Sequence, residues 1–108
     1  MTDTGKIVVL ITTSSPVEAE NIANLLLENR KAACVNIIPG VRSAFWWQGK
    51  IDNAEESLLL IKTRADLFPD LMDIVKQAHS YTVPEIIALP IITGNPDYLS
   101  WIDTETKQ

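Results

Sequence analysis

Ile7-Val8-Val9-Leu10-Ile11 is an unbroken apolar run rich in β-branched residues. Such a run predicts a strand with apolar side chains on both faces. Ser15-Pro16-Val17-Glu18 follows, with Ser at an N-cap, Pro at the first helical position and Glu at the third. This is a capping box with a preset first turn. Together with Val17, Ile22, Leu25 and Leu26 it predicts a helix over about 16–30. Asn29-Arg30-Lys31 sets positive charge at its C-terminus, which suits the helix dipole. From 33 to 47 the pattern turns β-like, and Pro39-Gly40 predicts a bulge or bend within it. Gln48-Gly49-Lys50 reads as a tight turn into a return strand over about 51–63. The polar stretch Asn53–Glu56 predicts a second irregularity there. A second helix is expected over 66–78, capped by Asp66, with Leu67, Leu71, Ile74, Val75 and Ala78 as its buried stripe. A fourth strand over 85–92 contains Pro90, which removes a ladder donor and places that strand at an edge or breaks it. Asn95-Pro96-Asp97 starts a short last helix.

The order β-α-β-β-α-β plus a C-terminal helix predicts an α+β, ferredoxin-like split β-α-β sandwich. It has an antiparallel sheet with both crossover helices on one face, as a single domain over 1–108. Two helices cover only one face of such a sheet, and a wet second face should alternate apolar and polar residues. The runs at 7–11, 57–61 and 86–92 do not alternate. Something must cover that face, and a homo-oligomer is the simplest cover. The long 33–63 hairpin reaches out to add its edges to a neighbour.

The 108 residues carry nine Lys and Arg against fourteen Asp and Glu, a formal charge of −5. Scattered cations among more numerous acids argue against nucleic acid and anionic membrane as partners. No apolar run is long enough to span a bilayer. Residues 1–6 lack the basic region and cleavage site of a signal peptide. The one cysteine, Cys34, rules out an internal disulfide and fits a reducing, cytoplasmic setting.

The sequence has no phosphate loop, GxSxG, HExxH or CxxC, and a Ser-His-Asp triad would have to recruit the sole His79. His79 is the candidate for metal or proton chemistry, with Cys34 and Glu85 as the other soft or anionic groups in apolar contexts. The plainer reading of His79 is a polar residue closing the second helix, and of Cys34 a small buried hydrophobe. Phe45-Trp46-Trp47 at the hairpin tip reads as a packing surface between subunits. Lys62 inside an apolar strand needs either an ion pair or a small-ligand cleft to line.

Ala33-Cys34-Val35-Asn36-Ile37-Ile38-Pro39-Gly40, Trp47-Gln48-Gly49-Lys50-Ile51, Lys62-Thr63, His79-Ser80-Tyr81-Thr82-Val83-Pro84-Glu85-Ile86 and Tyr98-Leu99-Ser100-Trp101 together resemble the CutA divalent-cation-tolerance proteins. The resemblance spans nearly the whole chain. It implies a tight homotrimer like the PII signal-transduction proteins, a cytoplasmic role in tolerance to metals such as copper, and no enzymatic reaction. It also implies divalent-cation binding in some members; for Cu²⁺ or Zn²⁺ the candidate ligands here are His79, Cys34 and Glu85, and the candidate cleft residues are Lys62, Tyr81 and Trp101. Some members carry a cysteine at the end of the first strand and a His-His pair before the Tyr-x-x-Pro-Glu motif. Here those places read Ile11 and Ala78-His79. The alternative is a PII-like signalling module that binds a small anionic ligand between subunits through Lys62 and Arg64 and docks on a partner protein.

Overall fold

The computed structural model describes residues 3–107. The elements are β1 (Lys6–Thr13), α1 (Pro16–Glu28), β2 (Cys34–Trp47), β3 (Lys50–Arg64), a 3-10 turn (Ala65–Leu67), α2 (Phe68–Ala78), β4 (Ile86–Pro90) and α3 (Pro96–Glu105). One four-stranded sheet has the order β2-β3-β1-β4, and every neighbouring pair is antiparallel. The expected α+β class and element order are therefore observed. Among the described residues no helix is long and apolar enough to cross a membrane.

β1 alternates strictly. Ile7, Val9, Ile11 and Thr13 are buried, and Lys6, Val8, Leu10 and Thr12 are only half-buried. The buried set joins Leu59 and Ile61 of β3, then Ala19, Ile22, Ala23 and Leu26 of α1 and Leu71 and Val75 of α2, in one core. Both crossover helices thus lie on the same face, where their apolar stripes meet the sheet.

The other face is apolar but largely bare. Its rungs run Cys34–Lys62–Val8–Leu89 and Asn36–Leu60–Leu10–Ile87 across all four strands. Ile87 and Leu89 are 48% and 50% exposed, and Ile38, facing Leu58, is 43% exposed. α3 reaches this side at the end of the sheet where Asp103 pairs with the Lys6 ammonium at 3.0 Å. A strip of roughly 300 Å² left in water would forgo about 7 kcal/mol at ~25 cal/mol per Å².

β2 and β3 run on past the sheet as a two-stranded arm. β1 pairs with β3 only over residues 57–64, so residues 41–56 of the hairpin have no third strand. The register shifts between Ile38 and Val41, so that Pro39 and Gly40 stand opposite the single residue Ser57. Gly40 has φ 71°, the left-handed conformation that a bulge of this kind assigns to glycine. At the tip, Gln48 and Gly49 both have positive φ, as a two-residue primed turn requires. The radius of gyration is 14.4 Å, above the ~13 Å of a compact chain of this length, because the arm projects. A two-stranded ribbon alone is marginal in water, and this one exposes Trp46, Trp47 and Ile51.

Several local expectations change. α1 ends at Glu28 and not near 30, because Arg30 takes φ 59° and the N–H of Lys31 closes on the Leu26 carbonyl. Arg30 and Lys31 therefore lie beyond the helix and pair with Glu105 and Asp70. Asp66 pairs with Arg64 at 3.4 Å, and the N-cap of α2 is Leu67, with no side-chain cap. β3 runs through Asn53–Glu56 without a break, because the irregularity is taken up by the β2 side at Gly40. β4 ends on Pro90 at the sheet edge, as expected.

Candidate functional site

Polar chemistry gathers at two ends of the sheet. One group sits on the bare face beside α3. Cys34 and Lys62 are register partners, and the Lys62 ammonium donates to the Asn36 side-chain carbonyl. The Cys34 thiol lies 3.9 Å from the same Asn36 oxygen. Tyr98 of α3 lies near Cys34, and burial, together with that sulfur, pushes its phenol above the usual range. The Trp101 ring is tilted against Tyr98, with centroids 5.5 Å apart. Among the described residues no carboxylate reaches within salt-bridge distance of Lys62. Its acceptor is a neutral amide, so the charge stands uncompensated on an apolar face.

The second group closes the opposite end, where β1 hands over to α1. Ser15 has extended backbone and accepts the Glu18 N–H at 3.1 Å, the expected cap. Glu18 reaches back to the Ser14 N–H at 2.9 Å and also accepts the Ser80 N–H at 2.8 Å. Burial pushes the Glu18 carboxyl up, but the bonds from Ser14 and Ser80 outweigh it and hold the group below the usual carboxylate range. His79 caps α2 through its N–H to the Val75 carbonyl, and its side chain is wholly buried. Its Nε2 stands 2.7 Å from the Thr12 carbonyl oxygen. A carbonyl only accepts, so Nε2 carries the proton. Nδ1 then accepts the Tyr81 N–H at 3.0 Å. The Tyr81 ring lies 4.7 Å from the imidazole, and its hydroxyl donates to Glu56 Oε2 at 2.8 Å. Glu56 is buried and faces Val41, the first rung beyond the bulge. A groove of about 360 Å³ opens beside it, between Ser14–Pro16 and the Pro39-Gly40 bulge.

A model of the CutA1 divalent ion tolerance protein family matches residues 7–105. The chain belongs to that family. It is 52% identical over 99 residues to the divalent-cation tolerance protein CutA of Thermus thermophilus, covering 92% of this chain and 96% of the relative. It is 43% identical over 107 residues to the chloroplastic protein CutA 1 of Oryza sativa, covering 99% of this chain and 60% of that longer protein. Among solved structures, the Thermus thermophilus cation tolerance protein superposes with a TM-score of 0.93 at 51% identity, over 94% of this chain and 99% of the other. The Oryza sativa CutA1 crystal structure gives 0.94 at 42%, over 100% and 99%. The Archaeoglobus fulgidus structure, titled a periplasmic divalent cation tolerance protein, gives 0.92 at 47%, over 94% and 99%.

Tolerance to divalent cations raises the question of which side chains of this CutA1 member could hold one. His79 is anchored at Thr12, four residues along β1 from the Val8 rung that carries Cys34, which is ~13 Å at strand rise. Glu85 stands exposed ahead of β4. Among the described residues no three His, Cys, Asp or Glu side chains gather as a metal-binding group. Both imidazole nitrogens are engaged within the fold, and the Cys34 sulfur sits beside an ammonium, which repels a second cation. The expected set of His79, Cys34 and Glu85 does not fit a metal centre within one chain. The expected cleft is likewise split: Lys62 stands on the rung that carries Cys34, near Tyr98 and Trp101, whereas Tyr81 belongs with His79 and Glu56. Asn36 lies within the Ala33–Gly40 stretch but was not singled out there, and no local spacing pairs it with Lys62 or pairs Glu56 with Tyr81.

Burial pushes the Tyr81 phenol up to about 12, and the Glu56 carboxylate, as acceptor and as a nearby charge, adds to it, with Glu18 contributing less. A phenol whose folded value lies above its unfolded one stabilises the fold fully below about pH 10, and that contribution is lost as pH rises toward 12. In a Tyr98→Phe background, ultraviolet difference titration should show Tyr81 ionising near 12, and Glu56→Gln should move it toward 10. An ordinary midpoint near 10 in the parent would contradict the Tyr81–Glu56 bond.

Proposed function

We propose that this chain acts as a homotrimeric divalent-cation tolerance protein whose bare sheet face is covered by two further copies. The observation that carries this is the apolar row Leu60–Leu10–Ile87, which the chain's own helices leave half-covered or exposed. The need for a cover comes from that surface, and the number three comes from the family resemblance. The arm, with Trp46, Trp47 and Ile51 exposed at its tip, is the element long enough to embrace a neighbour. The function is binding and assembly without catalysis, since the only imidazole of the chain is committed on both sides to the fold. The single cysteine fits a cytoplasmic setting, where it stays a thiol.

Leu60→Glu places a charge in the middle of the bare face. In an isolated chain that position borders water, so far-ultraviolet circular dichroism should be unchanged. In an assembly the charge is desolvated, so association should weaken by a factor on the order of a thousand. Native mass spectrometry should then show free chains. A variant that keeps the wild-type mass would contradict the interface.

A second reading concerns what the assembly binds. Lys62 has a neutral partner and, among the described residues, no carboxylate within salt-bridge distance, which favours a small anion beside Lys62 and Asn36 over a cation held by Cys34. A ligand that binds only the folded form raises its melting temperature. Millimolar inorganic phosphate or a nucleotide should raise the wild-type Tm by several degrees and leave Lys62→Ala unmoved. A rise with Zn²⁺ or Cu²⁺, unaffected by Lys62→Ala, would favour the metal reading instead.

A further inference from the structure

We infer that His79 is a positioning residue that latches the hairpin arm to the body of the fold, and that it is not a metal ligand in this chain. The inference does not depend on the assembly proposed above.

The latch has three bonded steps. The first is Nε2–H to the Thr12 carbonyl, which ties the end of α2 to the last turn of β1. The second is the Tyr81 N–H to Nδ1, which folds the chain back after Ser80 and lays the phenol against the imidazole. The third is the Tyr81 hydroxyl to Glu56, on the β3 residue where the arm has just left the three-stranded part of the sheet. Glu18 holds the same turn from the other side by accepting the Ser80 N–H.

Each step constrains the next. A neutral imidazole with a proton on Nε2 is the one form that both donates to a carbonyl and accepts from an amide. Binding a metal at Nδ1 would evict the Tyr81 N–H, and binding at Nε2 would strip the proton that Thr12 accepts. Either event leaves a half-buried backbone group without its partner, a cost that a metal ligand set would have to repay. Among the described residues, no second imidazole or thiol joins His79 in a metal-binding group, and its partners are backbone, ring and carboxylate groups. They are the Thr12 carbonyl, the Tyr81 ring and amide, and the Glu18 carboxylate, whose Oε1 lies 3.9 Å from Nδ1.

What the latch positions is the arm. Beyond the Gly40 bulge the ribbon has no third strand, so its angle to the sheet is set by whatever grips its base. Glu56 is buried at that base, and its partner is supplied by a loop more than twenty residues away in sequence. The phenol–carboxylate bond is therefore a strut between the α2–β4 loop and the foot of the arm.

Two readouts on the full-length chain test this. Long-range ¹⁵N correlation spectra of the imidazole at neutral pH should show a protonated Nε2 and an unprotonated Nδ1. One equivalent of Zn²⁺ per chain should move neither. Zn²⁺-induced shifts of those nitrogens that saturate at stoichiometric metal would overturn the inference. Tyr81→Phe keeps the ring and the amide bond to Nδ1 but removes the strut. It should speed amide hydrogen exchange at residues 41–44 and 53–56 about tenfold or more, with Val9, Ile61 and Leu26 unchanged. His79→Gln, which keeps a donor for Thr12 but loses the Nδ1 acceptor, should produce the same local pattern. Arm amides that exchange at the wild-type rate in both variants would show that the latch does not hold the arm. Neither readout requires the trimer, so a wild-type chain that proves monomeric would refute the assembly and leave this inference standing or falling on its own.

Discussion

The sheet of this protein has apolar side chains on both faces, and the chain supplies helices for one. Everything else in the architecture answers to that imbalance. β1 lies in the interior of the sheet, its odd-numbered side chains sealed under α1 and α2 and its even-numbered ones facing outward with Leu58, Leu60, Ile87 and Leu89. The outward set packs against nothing equivalent to a helical layer, apart from α3 at one end. Hydrophobic burial is the dominant favourable term in folding. Within one copy, this chain leaves that part of it unused.

The same surface explains the division of polar groups. On the bare face, charge is confined to the end beside α3, where Lys62 leans on Asn36 and Lys6 on Asp103. Among the described residues the row Leu60–Leu10–Ile87 itself carries no ionisable side chain, and the Lys62 ammonium reaches its Asn36 end. At the other end of β1, the His79, Tyr81, Glu56 and Glu18 network lies where the sheet, the two helices and the arm converge, and it is bonded throughout. One end offers an uncompensated cation for recognition, and the other end is closed upon itself. In this member of the divalent-cation tolerance family the imidazole is committed to the fold, and the uncompensated ammonium lies at the opposite end of the sheet.

Much of the fold was legible in the sequence because its signals are local. Ser15, Pro16 and Glu18 start α1 by geometry that spans four residues. Pro39-Gly40 and Pro90 disclose a bulge and an edge by what their backbones cannot do. The end of α1 and the cap of α2 were misplaced by a few residues, because Arg30 takes a left-handed conformation and Asp66 lies inside the 3-10 turn that precedes α2. The polar run at Asn53–Glu56 suggested a break, yet it marks a ribbon whose residues face water or the arm's own base. The site was far less legible. Tyr81 meets Glu56 across 25 positions and Lys62 meets Asn36 across 26. Such pairs follow from strand register and loop path, which no spacing rule encodes. Placing His79, Cys34 and Glu85 together followed donor chemistry alone, and the sheet holds His79 and Cys34 at different ends. The two-sided apolar pattern was legible as well: its inner half is buried under the helices, and its outer half is left half-buried or exposed within one chain.

The central claim is that copies of this chain cover the bare face, and the mass of the protein in solution tests it most directly. Sedimentation equilibrium of the wild-type chain down to micromolar concentration should fit a single species of three times the 12.0 kDa chain mass. A stable species at 12.0 kDa would contradict the account, since Leu10, Leu60, Ile87 and Leu89 would then face water in the native protein.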